Sequence, residues 1–304
     1  VDPLISIIIP CHNYARFIGD AISSVNKSEQ ADVEIIVIDN ESDDNPEPVV
    51  RSFSRTTYIR QANVGVSEAR NLGLRVSRGR FLVFLDADDM LAPGALDIGV
   101  SALAAHRSAA MVFGRCRRMA DDGSLQATPE QERIERDHYR ELLKKNYIWM
   151  PGMAMFRREA VERTGGFDSS VNAAADYAMY LRVARSHQIY DHAKVVAYYR
   201  KHGTNMSANA ARMLQQSLTV LRRERPFTEH DKTLLAAYYE GWRTWQDHYG
   251  TELVNEIRSD ARGRQWSRVL RKSATLAWLH PGGFREHAFR KMAVSLRRAR
   301  DTRH

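Results

Sequence analysis

A chain of 304 residues, 43% hydrophobic and 27% charged, can bury a sizeable core, and none of its apolar runs approaches the roughly 20 residues needed to cross a bilayer. Cys11 and Cys116 are too few thiols for a disulfide framework or a cysteine-rich zinc site. The net charge of +8 is unevenly placed: residues 258–304 hold 13 Lys and Arg against Asp260, Glu286 and Asp301, so a slightly acidic body carries a basic tail. No charged segment followed by an apolar signal core opens the chain, and the expected location is cytoplasmic.

In chain order, ISIIIP (5–10) is a β-branched run closed by proline, a buried strand ending in a loop. ARFIGDAISSV (15–25) has helical spacing, with Phe17, Ile18, Ala21, Ile22 and Val25 on one side. VEIIVIDN (33–40) is a second buried strand, and TTYIRQ (56–61) reads as a third. GVSEARNLGLRVSRG (65–79) reads as a helix with Ser67 as N-cap and Gly79 as its stop. RFLVFLD (80–86) is the fourth strand, after which Pro93 opens another helix. This alternation predicts an α/β fold with a parallel sheet flanked by helices, whose ligands gather at the carboxyl ends of the strands. Residues 11–14, 39–44 and 86–89 all fall at such ends.

The middle of the chain is less regular. AMVFGRCRRMADDGSLQ (110–126) suggests two strands around an Asp-Gly turn. YIWMPGMAMFRRE (147–159) joins a broken aromatic loop to a short strand, AAADYAMYLRVARSH (173–187) is an amphipathic helix, and KVVAYYRKHGTNMS (194–207) is a strand running into a polar loop. Beyond about residue 208 only helical patterns remain, with joints at Pro226 and at residues 280–283.

FLVFLDADDML (81–91) drives an apolar strand directly into Asp86, Asp88 and Asp89. Carboxylates two apart at a strand end can converge on a hard divalent cation, Mg2+ or Mn2+, which usually shares its shell with water and a substrate phosphate. By spacing alone the reading stays open, because Asp88 and Asp89 serve equally well as solvated charges or as caps of the helix at Pro93.

The order of PCHNY, IDNES, ANVGVSEARNLGL and FLDADD, followed by GMAMFRREAVERTGGFD, AADYAMYLRVA and VVAYYRKHGTNMS, resembles the family 2 glycosyltransferases over residues 4 to about 207. The resemblance implies a GT-A fold with a mostly parallel central sheet. The catalytic domain would span 1–207, with a donor half to about 110 and an acceptor half over 111–207, and a basic helical extension would fill 208–304. It implies inverting transfer of a sugar from a nucleoside diphosphate, UDP first among the donors, to a hydroxyl on a glycan, a lipid-linked glycan or a small molecule, with Mn2+ or Mg2+.

On this resemblance Pro10, His12, Asn13 and Tyr14 lie along the nucleoside, and Asp39 accepts a base N–H. Arg70 approaches base and phosphates, and Asp86, Ala87 and Asp88 form the donor turn. Asp88, Asp86 and His202 bind metal, while Arg200 and Ser207 contact the diphosphate. Asp176 is the general base, and Trp149, Met150 and Gly152 shape the acceptor cleft. The bland alternatives are a turn-capping Asp39, a surface Arg70, an N-capping Asp176, an exposed His202 and ordinary loop packing at 149–152. Ala175 stands where many relatives have Glu before the base, which leaves the acceptor less defined.

Metal-dependent nucleotidyl transfer is disfavoured, because PCHNYARF lacks a glycine-rich phosphate loop. A catalytically inactive nucleotide-binding or membrane-associated scaffold remains the other reading. In the tail, Trp266, Leu270, Leu276, Trp278 and Leu279 interleave with Arg264, Arg268, Arg271 and Lys272. That pattern fits an interfacial helix on an anionic membrane at the inner face, a homodimer contact, or packing onto the catalytic domain. No nucleic-acid partner is expected.

Overall fold

β-branched runs bounded by turn formers become strands largely where the sequence puts them. The computed structural model describes residues 4–26, 32–203 and 205–282. In its first part, β1 (Ile5–Cys11), α1 (Ala15–Asn26), β2 (Val33–Asn40), α2 (Glu47–Arg51), β3 (Thr56–Gln61), α3 (Val66–Val76) and β4 (Phe81–Phe84) alternate, and of these only the short α2 has no counterpart in the sequence reading. There follow β5 (Met90–Leu91), α4 (Ala95–Ala105), β6 (Ala109–Met119), α5 (His138–Lys144), β7 (Ala154–Arg157), α6 (Arg158–Arg163), α7 (Ala175–Ser186) and β8 (Gln188–Arg200). The last helices are α8 (Ala210–Glu224), α9 (Lys232–Arg262) and α10 (Trp266–Leu279). The described residues divide into two compact units, one holding residues up to 142 together with 146–205, the other 143–145 and 206–282.

In the first unit eight strands form one sheet in the order β3-β2-β1-β4-β7-β6-β8-β5. β1 pairs in parallel with β2 and β4, and β2 with β3, while β7 runs antiparallel between β4 and β6. The chain steps outward from β1 to β3 and then returns to β4 on the other side of β1, so strand order reverses between β1 and β4. Ligands of open α/β sheets bind at such a switch point. Register aligns the strand ends there: Cys11 lies opposite Asp39, Asp39 opposite Arg60, and Leu85 donates its N–H to the Ile8 carbonyl.

The buried strands show why the sheet is covered on both faces. All seven residues of β1 are buried. The pleat sends Ile35 and Val37 to the face where Ile18, Ala21, Ile22 and Val25 of α1 pack, and Ile36 and Ile38 to the face covered by Ala69 of α3. Each such aliphatic side chain contributes about 1.5–3 kcal/mol on full burial.

Several local expectations change. α3 starts at Gly65 with no side-chain cap, and the Ser67 hydroxyl instead donates to the Val171 carbonyl. α3 ends at Val76, so Gly79 is not its stop; it is the point of closest approach between the β3–β4 return and β1. A Cβ on Gly79 would lie 2.4 Å from the Ser6 nitrogen and 2.5 Å from its hydroxyl, which already accepts the Gly79 N–H. Gly79→Ala is expected to destabilise the fold by about 2–3 kcal/mol through overpacking, read as a lower urea midpoint at unchanged slope.

The strand predicted after the Asp-Gly turn shrinks to a single bridge between Met119 and Leu125. α4 is preceded by Gly94 at φ +72° and has no side-chain cap, so Asp88 and Asp89 are not its caps.

In the second unit Asn209 caps α8 by accepting the Arg212 N–H, and Asp231 caps α9 through Thr233 and Leu234. Pro226 sits in the turn Arg225–Phe227, as the joint expected between helices. Leu214, Leu218, Tyr249, Leu253, Ile257, Leu276 and Leu279 form the core of this unit. The helical pattern expected over 284–300 lies outside the described residues. No described helix is long and apolar enough to cross a membrane.

Candidate active site

At the switch point β4 ends at Phe84 and the chain turns through Asp86–Asp89, with the Asp89 N–H donating to the Asp86 carbonyl. The turn directs Asp86 and Asp88 to different partners. Asp86 accepts the Arg70 Nη2–H at 2.6 Å, and Asp88 meets His202 Nε2 at 2.9 Å and Asn205 Nδ2 at 3.2 Å. Ala87 between them is buried, and Asp89 accepts the Arg200 N–H at 2.8 Å. Burial pushes the carboxyls of Asp86 and Asp89 above the usual range; Arg70 opposes this at Asp86, and the negative charges of Asp88 and Asp86 add to it at Asp89.

Arg70 links this turn to α7. Its guanidinium is buried over the Phe167 ring, at 5.2 Å, and interacts with both Asp86 and Asp176. The sequence alternative of a surface arginine therefore fails. Asp176 lies in the first turn of α7, where burial pushes its carboxyl up to about 6 against the lowering effects of Arg70 and the Tyr177 N–H. A helix start alone would have made it a weaker base; burial reverses that expectation.

One helical turn further on, the Tyr180 hydroxyl is buried, makes no hydrogen bond and feels the charges of Asp176, Arg70 and Asp86. Arg70 Nε is a second buried donor with no partner. Unsatisfied buried donors beside a raised carboxyl mark a place that a polar group completes.

The nucleoside side is built by three strand ends. Pro10 is buried within β1, which continues one residue past it. His12 and Asn13 are exposed; Asn13 adopts φ +60°, donates its backbone N–H to the Ser42 hydroxyl and accepts the Asp43 N–H on its side-chain oxygen, and His12 Nε2 lies 3.4 Å from Asn63 Nδ2. Tyr14 meets the His202 ring edge-on at 5.6 Å, and Phe17 packs against that ring, tilted, at 5.0 Å. His202 is thus oriented rather than a free loop histidine.

Asp39 is fully enclosed and accepts from the Ser42 N–H at 2.9 Å, the Tyr58 hydroxyl at 2.5 Å and Arg60 at 2.9 Å. Burial alone would raise this carboxyl, but the Ser42 and Tyr58 hydrogen bonds and the Arg60 charge hold it below the usual range. Tyr58 and Arg60 were not anticipated from the sequence, although their two-residue spacing on β3 puts both on one face.

Three expected roles change with the geometry. Arg200 is 2% exposed, and each of its side-chain nitrogens is engaged: Nε on the Asp88 carbonyl, Nη1 on the Asp121 carbonyl and Nη2 on Asp20, with Phe17 beneath the guanidinium at 4.7 Å. It holds the acidic turn and does not present a free fork to phosphate. Met150 and Gly152 are buried, and a Cβ on Gly152 would meet Met150 and Leu85, so both belong to the packing behind β4 and not to an acceptor wall. Trp149 remains partly exposed under the Arg118 guanidinium. Ser207 belongs to the second unit, in the turn Met206–Ala208.

Among the described residues no group of three or more His, Cys, Asp or Glu side chains is gathered as a metal cage. Asp88 and His202 bring an oxygen and a nitrogen to one point, and Asp86 is held by Arg70. Two protein ligands completed by phosphate oxygens and water are the pattern in which Mg2+ and similar cations are held, so the pair fits such an ion.

The family described as Glycosyl transferase family 2 matches residues 6–165. Chondroitin synthase of Escherichia coli is 30% identical over 210 residues, which cover 67% of this chain and 30% of that protein. An uncharacterised glycosyltransferase of Nostoc sp. is 30% identical over 218 residues, 68% of this chain and 67% of its own. The chain thus spans less than a third of the synthase. Among solved structures, S. aureus TarS 1-349 in complex with UDP superposes with a TM-score of 0.64 at 16% identity, covering 94% of this chain and 91% of that one. A mannosyltransferase from Pyrobaculum calidifontis, in complex with GDP-Man and Mn2+, gives 0.59 at 19% identity over 91% and 88%. These likenesses show the GT-A fold.

Proposed function

The chain belongs to glycosyl transferase family 2, and from that premise we propose that it transfers a sugar, with inversion, from a nucleoside diphosphate to an acceptor hydroxyl. The observation that carries the proposal is the Asp86–Arg70–Asp176 chain at the end of β4, with the Asp176 carboxyl near 6. A carboxylate poised near neutral pH is suited to take a proton as an oxygen nucleophile attacks.

In the proposed reaction Asp176 removes the acceptor hydroxyl proton, the acceptor oxygen bonds to the anomeric carbon from one face, and the bond from that carbon to the diphosphate oxygen breaks on the other. Arg70 keeps Asp176 ionised in a buried setting and holds Asp86 in place. The Tyr180 hydroxyl and Arg70 Nε are donors for sugar or acceptor oxygens. Tyr14, His12 and Asn13 border the nucleoside, and Asp39 orders Tyr58, Arg60 and Ser42 around it. A divalent cation, Mn2+ or Mg2+, would be held by Asp88 and His202 and would supply positive charge against the leaving diphosphate. UDP is the first nucleotide to test, and the acceptor class is a glycan, a lipid-linked glycan or a small molecule.

Thermal unfolding with UDP, GDP and dTDP, each with and without Mn2+, tests the donor site. A nucleotide at 100 times its dissociation constant adds about 2.7 kcal/mol to native stability. Stabilisation by one nucleotide, dependent on the cation and absent in Asp88→Ala, is the expected outcome. Stabilisation by none of them would remove the donor site from the proposal and favour a scaffold.

A further inference from the structure

The apolar residues of α10 divide between two faces, and only one of them is used by the fold. Leu276 and Leu279 are buried in the core of the second unit with Val269 beside them, and Lys272 on the same side is bound by Glu256 at 2.8 Å and Asp260 at 2.7 Å. Trp266, Leu270 and Trp278 are 61%, 72% and 68% exposed. At about 100° per residue these three fall within an arc of roughly 120°, opposite the core-facing side. The sequence pattern that mixed all of these residues is therefore two separate stripes.

Charge identifies what the outer stripe fits. Arg271 runs along its border and Arg264 precedes it, while Arg268 lies toward the edge near Leu279; all three are exposed, and none has an ion pair among the described residues. α10, WSRVLRKSATLAWL, contains no acidic residue. A second copy docked through this face would bring arginine against arginine. A nucleic-acid backbone would leave two tryptophans and a leucine without an apolar partner. A bilayer surface with anionic headgroups satisfies both sets, taking Trp and Leu at the acyl boundary and the arginines at the phosphates. At 14 residues the helix is about 21 Å long, too short to cross and suited to lying in the interface.

We propose that the outer face of α10 docks the protein on an anionic lipid bilayer, with Trp266, Leu270 and Trp278 as the inserted residues. This surface is independent of the donor site and of the reaction assigned to it.

The test is sedimentation of the full chain with vesicles of phosphatidylcholine containing about a third phosphatidylglycerol against vesicles of phosphatidylcholine alone. Three proteins are compared: wild type, the triple variant Trp266→Ala, Leu270→Ala, Trp278→Ala, and the triple variant Arg264→Gln, Arg268→Gln, Arg271→Gln. Both variants change exposed residues, and an unchanged melting temperature checks that the unit still folds. Wild type is expected on the anionic vesicles only, with the partition coefficient falling by about tenfold or more in each variant. Equal binding by wild type and the apolar variant would overturn the proposal and assign any attraction to the basic residues beyond the helix. No binding by wild type would also overturn it, and loss of a dimer in the apolar variant would identify a second copy as the occupant.

Discussion

Asp176→Asn is expected to lower transfer by about 10³-fold or more while making the folded chain more stable above pH 6. The activity loss follows from removing the one carboxylate proposed to accept the hydroxyl proton, a role of about 10²–10⁴ in rate, with further loss from misplacing the nucleophile. The stability gain follows from the position of the carboxyl. Its folded value is near 6 and its unfolded value near 4, so the folded state binds the proton more tightly. That contribution is fully favourable below pH 4 and is lost as pH rises through 6, leaving an ionised, partly buried carboxylate that costs about 2 kcal/mol at pH 8. Asparagine has no such charge. Urea unfolding at pH 8 and pH 4 should show the variant's advantage at the first and none at the second. Loss of stability at pH 8 would mean that Asp176 holds the fold together through Arg70 and is not a strained base.

Arg200→Lys is expected to unfold more easily by about 3 kcal/mol and to bind nucleotide at least tenfold more weakly. The buried guanidinium joins the Asp88 carbonyl, the Asp121 carbonyl and Asp20 through separate nitrogens, and a lysine reaches at most part of this set. The uncovered carbonyls then carry their desolvation cost, and the turn bearing Asp86 and Asp88 loses its support. Asp20→Asn is the comparison: its carboxylate is 57% exposed, so the ion pair contributes little and the loss should stay below about 1 kcal/mol. A lysine variant with unchanged melting and weakened nucleotide binding would instead mean that Arg200 acts directly on phosphate.

The donor half was legible because its strands are buried on both faces and advertise themselves as continuous β-branched runs ending in polar turns. Asp39 and Asp86 could both be placed at strand ends from that pattern, whereas Asp176, at the start of an amphipathic helix, took its role from the family resemblance. Arg70 needed the resemblance for its role, since a helix arginine gives no local sign that it is buried. Arg200 was misjudged for the same reason: a cation at a strand end looks available until Asp20, Asp88 and Asp121 are seen around it. Met150 and Gly152 lie in a stretch whose Pro and Gly imply a loop, yet that loop packs against Leu85, a contact distant in sequence that no local pattern encodes. Tyr58 and Arg60 were readable as a pair from strand alternation, but their meeting with Asp39 depends on the β2–β3 register. In α10 the periodicity was visible, whereas its division into a buried and an exposed stripe required the second unit's core.

Release of nucleoside diphosphate from UDP-, GDP- and dTDP-sugars, followed for wild type and Asp176→Asn from pH 5 to 8, reads out the proton acceptor itself. Release is expected from one donor class, at a rate that rises about tenfold per pH unit up to a bend near 6, with almost no release by the variant. A rate that is flat across pH 5–7, or equal in wild type and variant, would contradict Asp176 as the base.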